Sequence, residues 1–232
     1  QDDINKDFQL CRYPMYVLGI PEALTLKAMI PHEQYLNTGN LKLQTDGMDV
    51  LFVSHRWMSP TVPDEDMRQF STLQGALKGM MEAWLRPMVC CASTEASGQL
   101  SSALTIGAAE DLANSYLWYD YLCAPQSKSK KQAGIQSIAC YIAASKYLIV
   151  LAPSLLPRAA SKGQDEESWQ ARGWCRFERL IYGLTRQKVE ENIVFTIHHR
   201  SFVQESVHLR SQLLLPQKGT FSIAEDRAQT AA

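Results

Sequence analysis

No segment of the 232-residue chain approaches the ~20 consecutive apolar residues that a membrane-spanning helix needs. The longest candidate, Tyr147 to Leu156, is too short and contains Pro153, so it reads as a buried strand. Neither sign of charge is in excess: 23 Lys and Arg stand against 24 Asp and Glu, a net charge of −1. That balance excludes the broad electrostatic surface with which proteins hold nucleic acid or anionic lipid. With 46% apolar residues the chain is not a disordered one, and its length suffices to bury a core without metal or disulfide staples. The six cysteines, at 11, 90, 91, 123, 140 and 175, form no disulfide-framework pattern. They are expected to be reduced thiols of an intracellular, cytoplasmic protein, with Cys123, Cys140 and Cys175 acting as small buried hydrophobes. The sequence begins at Gln1, which leads us to expect a trimmed or processed start, and no charged-then-apolar signal segment is visible.

Several chemical signatures are also missing. There is no GxGxxG, GxxxxGK[ST], HExxH, CxxC pair or GxSxG. Dinucleotide dehydrogenases of the Rossmann type, P-loop enzymes, zincins and ordinary serine hydrolases lose their main support. His198, His199 and His208 invite a metal reading, but adjacent residues on a strand point to opposite faces, and no metal site is expected. Lys128, Lys130 and Lys131 read as a solvated basic loop in preference to a phosphate site.

What is present is a series of apolar runs. Met48–Ser54, Tyr116–Tyr121, Tyr147–Ala152 and Asn192–Ile197 read as strands. Helical spacing marks Met67–Leu85, Ala133–Ser145 and Trp169–Gln187, with shorter helices over Pro21–Ile30 and Ala103–Ala113 and a last helix over Ser201–Leu215. Pro153–Ser168 reads as a loop and Ala224–Ala232 as a fraying tail. Strands alternating with helices predict an α/β fold, a doubly wound, mainly parallel sheet. Residues 1–48 form an extension packed on the core, 49–200 the α/β domain, and 201–232 a C-terminal helix and tail. In such sheets the ligand crevice lies beyond the carboxyl ends of the strands. Three motifs fall there: Ser54-His55-Arg56-Trp57, Tyr119-Asp120-Tyr121-Leu122-Cys123-Ala124-Pro125-Gln126, and Trp174-Cys175-Arg176-Phe177-Glu178. Taken singly, Ser54 and His55 are turn or capping residues, Asp120 is a cap or a ligand group, Trp174 a core anchor and Glu178 a solvated helix residue.

Together the motifs resemble the TIR superfamily. Asp49 to Arg56 is similar to the first TIR strand, which ends in a Ser-Phe-Arg-type triplet; His55 stands in place of the aromatic. Trp174 to Glu178 resembles the TIR Trp-Cys-x-x-Glu helix start. Leu117 to Gln126 is closer to the Trp-Ile-Asp-x-x-Cys-Ile-x-Gln stretch of heterokaryon-incompatibility (HET) domains, whose Ser-Tyr-x-Trp and Arg-Gly-Trp-x-x-x-Glu segments are matched by Ser54–Trp57 and Arg172–Glu178. The motifs occur in family order over residues 49–184.

The resemblance implies a flavodoxin-like, TIR-like three-layer sandwich. It also implies cleavage of the nicotinamide–ribose bond of NAD, with Glu178 stabilising positive charge that develops on the ribose. Asp120 or Tyr119 would then hold ribose hydroxyls, Trp57 or Tyr121 would stack on a ring, Arg56 would pair with the pyrophosphate, and Ser54, His55 and Trp174 would complete the nucleotide site. NAD enters as a substrate, and no tightly bound cofactor is implied. Such a nucleotide-processing domain is expected to act in signalling or defence; the alternative is a non-catalytic TIR/HET-like interaction or assembly module within a larger protein complex, acting through self-association or protein partners. A plain doubly wound domain with a chance match stands beside both.

Overall fold

The computed structural model describes residues 11–82, 88–90, 109–153, 166–186, 193–200, 202–207, 215–222 and 226–230. Among them, β1 (Tyr16–Gly19), β2 (Leu41–Leu43), β3 (Val50–His55), β4 (Met88–Cys90), β5 (Tyr116–Trp118), β6 (Tyr147–Leu151), β7 (Ile193–His199) and β8 (Phe202–Val207) form one sheet in the order β2-β1-β5-β3-β6-β7-β8-β4. The four central strands, β5-β3-β6-β7, are mutually parallel. Antiparallel β1 and β2 extend one side, antiparallel β8 and then parallel β4 the other. The fold is therefore α/β, built on a mostly parallel mixed sheet with helices. All six residues of β3 are buried, which explains its unbroken apolar and β-branched run. Phe52 stacks on Trp118 of β5 at 4.3 Å in the middle of this core. Among the described residues, no helix is long and apolar enough to cross a membrane.

The helices are α1 (Ile20–Thr25), α2 (His32–Leu36), α3 (Arg68–Met81), α4 (Ala109–Ala113), α5 (Asp120–Cys123), α6 (Lys128–Gln136), α7 (Ile138–Ala144), α8 (Glu166–Gln170), α9 (Gly173–Thr185) and α10 (Asp226–Gln229). Pro21 occupies the first turn of α1, where its missing N–H costs nothing. The helix expected over Ala103–Ala113 is described from Ala109 onward, and the middle of the loop expected over Pro153–Ser168 lies outside the described residues. The segment before residue 49 supplies β1 and β2 to the sheet, and its Tyr13 is tied to α7: the Tyr13 N–H donates to Ser137 Oγ at 3.0 Å and the Tyr141 hydroxyl to the Tyr13 carbonyl at 2.8 Å.

Several elements depart from the sequence reading. The aromatic strand stops at Trp118, because Asp120 starts the short helix α5 and its own carboxylate accepts the Tyr121 N–H at 2.6 Å. Lys128, Lys130 and Lys131 lie on α6, not on a loop, and the expected helix over Ala133–Ser145 is two helices meeting at Ser137. The expected helix over Trp169–Gln187 is also two. Between α8 and α9 the chain bends at Arg172, which bridges to Thr220, while the Gly173 N–H donates to the Thr220 carbonyl at 2.8 Å. That approach needs bare backbone: a Cβ on Gly219 would lie 2.6 Å from Gly173 Cα.

The C-terminal expectations are corrected most. The helix expected over Ser201–Leu215 is replaced, at Phe202–Val207, by strand β8, which turns back at Arg200 and pairs antiparallel along β7 from His199↔Phe202 to Ile193↔Val207. Residues 208–214 lie outside the described residues. The segment read as a fraying tail contains α10, held by a hydrogen bond from Trp174 Nε1 to Asp226 Oδ2 at 2.9 Å and by Arg227, which donates to the Gln217 and Gly219 carbonyls at 3.1 and 3.3 Å.

Candidate functional site

At the carboxyl end of β3, Ser54 and His55 are adjacent and both buried. Side chains alternate across a strand, so the two hydroxyl and imidazole groups serve different partners. They build two polar assemblies on one strand end.

The first assembly joins β3 to α8 and α9. The Ser54 hydroxyl donates to Glu178 Oε2, and Trp169 Nε1–H donates to Ser54 Oγ at 3.0 Å. On α9, Cys175, Glu178 and Tyr182 recur at helical spacing, and this stripe faces inward: Cys175 and Tyr182 are buried, and the Cys175 thiol donates to the His55 carbonyl at 3.7 Å. Glu178 thus arrives at the strand end on a helix face anchored above and below it. Burial pushes its carboxyl up to about 8, with the Ser54 hydroxyl pulling the other way and the Asp120 charge adding to the rise. Burial likewise holds the Cys175 thiol well above its usual range, which makes it a packing group and not a nucleophile.

The second assembly joins β3 to α5 and to the loop after β3. His55 Nε2 lies 2.9 Å from Asp120 Oδ1, and Trp57 Nε1–H donates to Asp120 Oδ2 at 2.5 Å. The His55 ring stacks on Tyr119 at 4.1 Å, and Tyr119 in turn meets the edge of Phe70 on α3 at 5.2 Å. Burial alone would raise the Asp120 carboxyl, but the His55 imidazole, the Trp57 indole N–H and the Tyr121 backbone N–H outweigh it and hold Asp120 below its usual value. Trp57 is partly exposed, lies edge-on to Tyr121 at 5.8 Å, and has the Lys131 ammonium 5.9 Å from its ring centre. Two carboxyl groups with environments that drive their pKa values in opposite directions therefore flank the end of one strand. Such a pair divides naturally into a proton carrier and a fixed anion.

Seven of the nine residues singled out from the sequence, Ser54, His55, Trp57, Tyr119, Asp120, Tyr121 and Glu178, take part in these two assemblies. Arg56 follows them on the loop, where its carbonyl accepts a hydrogen bond from Gln69 Nε2 at 2.9 Å. Trp174 is turned elsewhere. It sits about 100° around α9 from Cys175, contacts Phe177 edge-on at 5.6 Å, and gives its indole N–H to Asp226 of α10.

Comparison of the chain with protein-family models, with curated proteins and with solved structures gave no match. The chemistry of the site rests on its own geometry.

Trp169 is the participant that sequence reasoning missed. It was visible only as the first apolar position of an expected long helix; the bend at Arg172 is what separates it from α9 and lets its ring reach Ser54. Among the described residues, no group of three His, Cys, Asp or Glu side chains is arranged to hold a metal ion. An open hollow of about 390 Å³, lined by Asp46, Asp49, Asp111, Asn114 and Tyr116 among others, lies at the amino ends of β3 and β5. It is at the opposite end of the strands from both assemblies, and Asp49 there is neutralised by Lys146 at 2.5 Å.

Proposed function

We propose that the chain is a TIR/HET-like domain that binds NAD or a related nucleotide and hydrolyses its nicotinamide–ribose bond. The observation that carries this reading is the Ser54–Glu178 hydrogen bond at the carboxyl end of β3, beside the Asp120 assembly. Topology supports it. Numbered in chain order, the four central parallel strands run second-first-third-fourth across the sheet, as in flavodoxin-like folds, and β3 is the strand from which the chain departs to both sides. Folds with that order take their ligands at the carboxyl ends beside the reversal point.

In the proposed reaction the C1′–N bond breaks with its electron pair passing to the pyridinium nitrogen, so nicotinamide leaves neutral and the ribose carries the positive charge. Water adds to C1′ and releases a proton, leaving ADP-ribose. Glu178 in its ionised form stabilises the ribosyl cation and takes the proton from water. A carboxyl titrating near 8 is suited to that exchange, and the pyridinium charge of the substrate would draw it toward the ionised form. Asp120, held ionised by its neighbours, is the fixed anion that orients ribose hydroxyls, and the partly exposed ring of Trp57, backed edge-on by the buried Tyr121, receives a ring. Arg56 and Lys131 supply cationic donors for the pyrophosphate. Tyr119 is fully buried under His55, so its part is support, and Trp174 belongs to the docking of α10. The test is nicotinamide release from NAD by the purified chain and by Glu178→Ala; equal release from both removes the role given to Glu178.

The second reading, a non-catalytic assembly module of the same superfamily, draws on β2. Among the described residues this three-residue strand forms one edge of the sheet and leaves Leu43 52% exposed. An open edge with an apolar side chain favours pairing with another chain. Light scattering on the purified protein tests it: a strict monomer at high concentration, with full NAD cleavage, would set it aside.

A further inference from the structure

We infer that Trp169 is a positioning residue for Glu178, acting through Ser54 by fixing the direction of the Ser54 hydroxyl proton. The inference rests on the reading of Glu178 as the working carboxylate, but it concerns a hydrogen-bond chain that can be measured without any turnover.

Ser54 has one proton to give and two lone pairs to receive. It is fully buried, and Trp169, only 1% exposed, presses its indole N–H against Oγ at 3.0 Å. An indole N–H donates and never accepts, so the Ser54 proton cannot be spent on Trp169. The neighbouring Cys175 thiol already points to the His55 carbonyl. When Glu178 is ionised, Oε2 is then the acceptor toward which the Ser54 proton is directed, and the indole N–H polarises the hydroxyl so that it donates more strongly. The arrangement spans three elements: Trp169 on α8, Ser54 on β3 and Glu178 on α9. It also gives the bend at Arg172 a chemical consequence, since a continuous helix through residues 169–185 would carry Trp169 along the α9 axis and away from the strand. The titratable groups that bear on Glu178 from the packed elements are Asp120 from α5 and Cys175 from α9 itself. Neither of these is altered by removing the indole N–H.

The test is direct titration of the Glu178 carboxyl by NMR in wild type, Trp169→Phe, Ser54→Ala and the double variant. Each single variant is expected to raise the Glu178 midpoint by about half a unit or more, the equivalent of one net hydrogen bond to the ionised form. The double variant is expected to match Ser54→Ala alone. An unchanged midpoint in Trp169→Phe overturns the inference, and so does a Trp169→Phe shift that persists in full without the Ser54 hydroxyl, because a merely structural ring would act that way. Should the smaller Phe ring disturb folding, benzothienylalanine at 169 keeps the indole shape, removes only the N–H, and must give the same upward shift. If the shifts appear while no variant, nor wild type, cleaves NAD, the positioning stands and the NAD reading falls.

Discussion

Ser54 and Glu178 are 124 residues apart in the chain, yet the hydroxyl of one donates to the carboxylate of the other across the junction of β3 and α9. The pairing brings a half-buried acid to a strand end where burial costs its charged form more than the hydrogen bond restores. The consequences of that imbalance can be measured in stability as well as in chemistry.

Glu178 ordinarily titrates at 4.5 and is raised to about 8 in the folded chain, so the native state binds a proton that the unfolded state releases. Its contribution to stability is complete below the unfolded value and is lost as pH rises through 8. Denaturant titrations of wild type between pH 6 and 9 are expected to show a loss on the order of 1–3 kcal/mol from this group. Glu178→Gln, which has no charge to bury, is expected to flatten that part of the curve and to be more stable than wild type at pH 9.

Asp120 behaves in the opposite sense. Its carboxyl is held below its usual 3.8, so its contribution is present above the unfolded value and disappears as pH falls through the folded one. Asp120→Asn keeps one acceptor oxygen and turns an NH2 group toward either the Trp57 indole N–H, which loses its acceptor, or the His55 and Tyr121 nitrogens. It is expected to cost about 1–3 kcal/mol at pH 7, as the loss of a partner to buried donors does, and to bring Trp57 into freer motion. Chemical denaturation and the Trp57 indole N–H resonance check both.

Gly173 and Gly219 face each other where the C-terminal segment crosses the start of α9. A Cβ on Gly219 meets only backbone, the N and Cα of Gly173 at 2.6 Å, whereas one on Gly173 meets the Phe221 ring at 1.9 Å. A ring can swing aside and backbone cannot. Gly219→Ala is therefore expected to loosen α10 more than Gly173→Ala does, and Phe221→Ala should relieve the second variant but not the first. Limited proteolysis in the C-terminal segment ranks the four proteins.

The parallel core was legible because Val50–Val53 and Leu148–Leu151 are continuous apolar runs, a pattern that strands buried on both faces require. The motif loops were legible for the same reason: once the strands are placed, their carboxyl ends follow. The strand Phe202–Val207 was not, since its pairing partner β7 is what selects it over a helix, and a mixed run such as Phe-Val-Gln-Glu-Ser-Val suits either periodicity until that partner is present. Trp174 was assigned to the site as part of the segment that resembles the TIR Trp-Cys-x-x-Glu helix start, but the helix rotation and the acceptor at Asp226 send it to α10. Trp169 was overlooked because its role depends on a bend whose cause, the approach of Thr220 and Gly219, comes from almost fifty residues further along.

The central claim is that Glu178 is the working carboxylate of a nucleotide-cleaving site. The most direct measurement is kcat/KM for nicotinamide release from NAD as a function of pH, for wild type and for Glu178→Gln shown to be folded. The account predicts a wild-type profile that rises toward a plateau with a midpoint near 8 and a variant slower by about 100-fold or more at every pH. Equal rates in the two proteins, or a folded wild type that releases no nicotinamide at any pH, would contradict it.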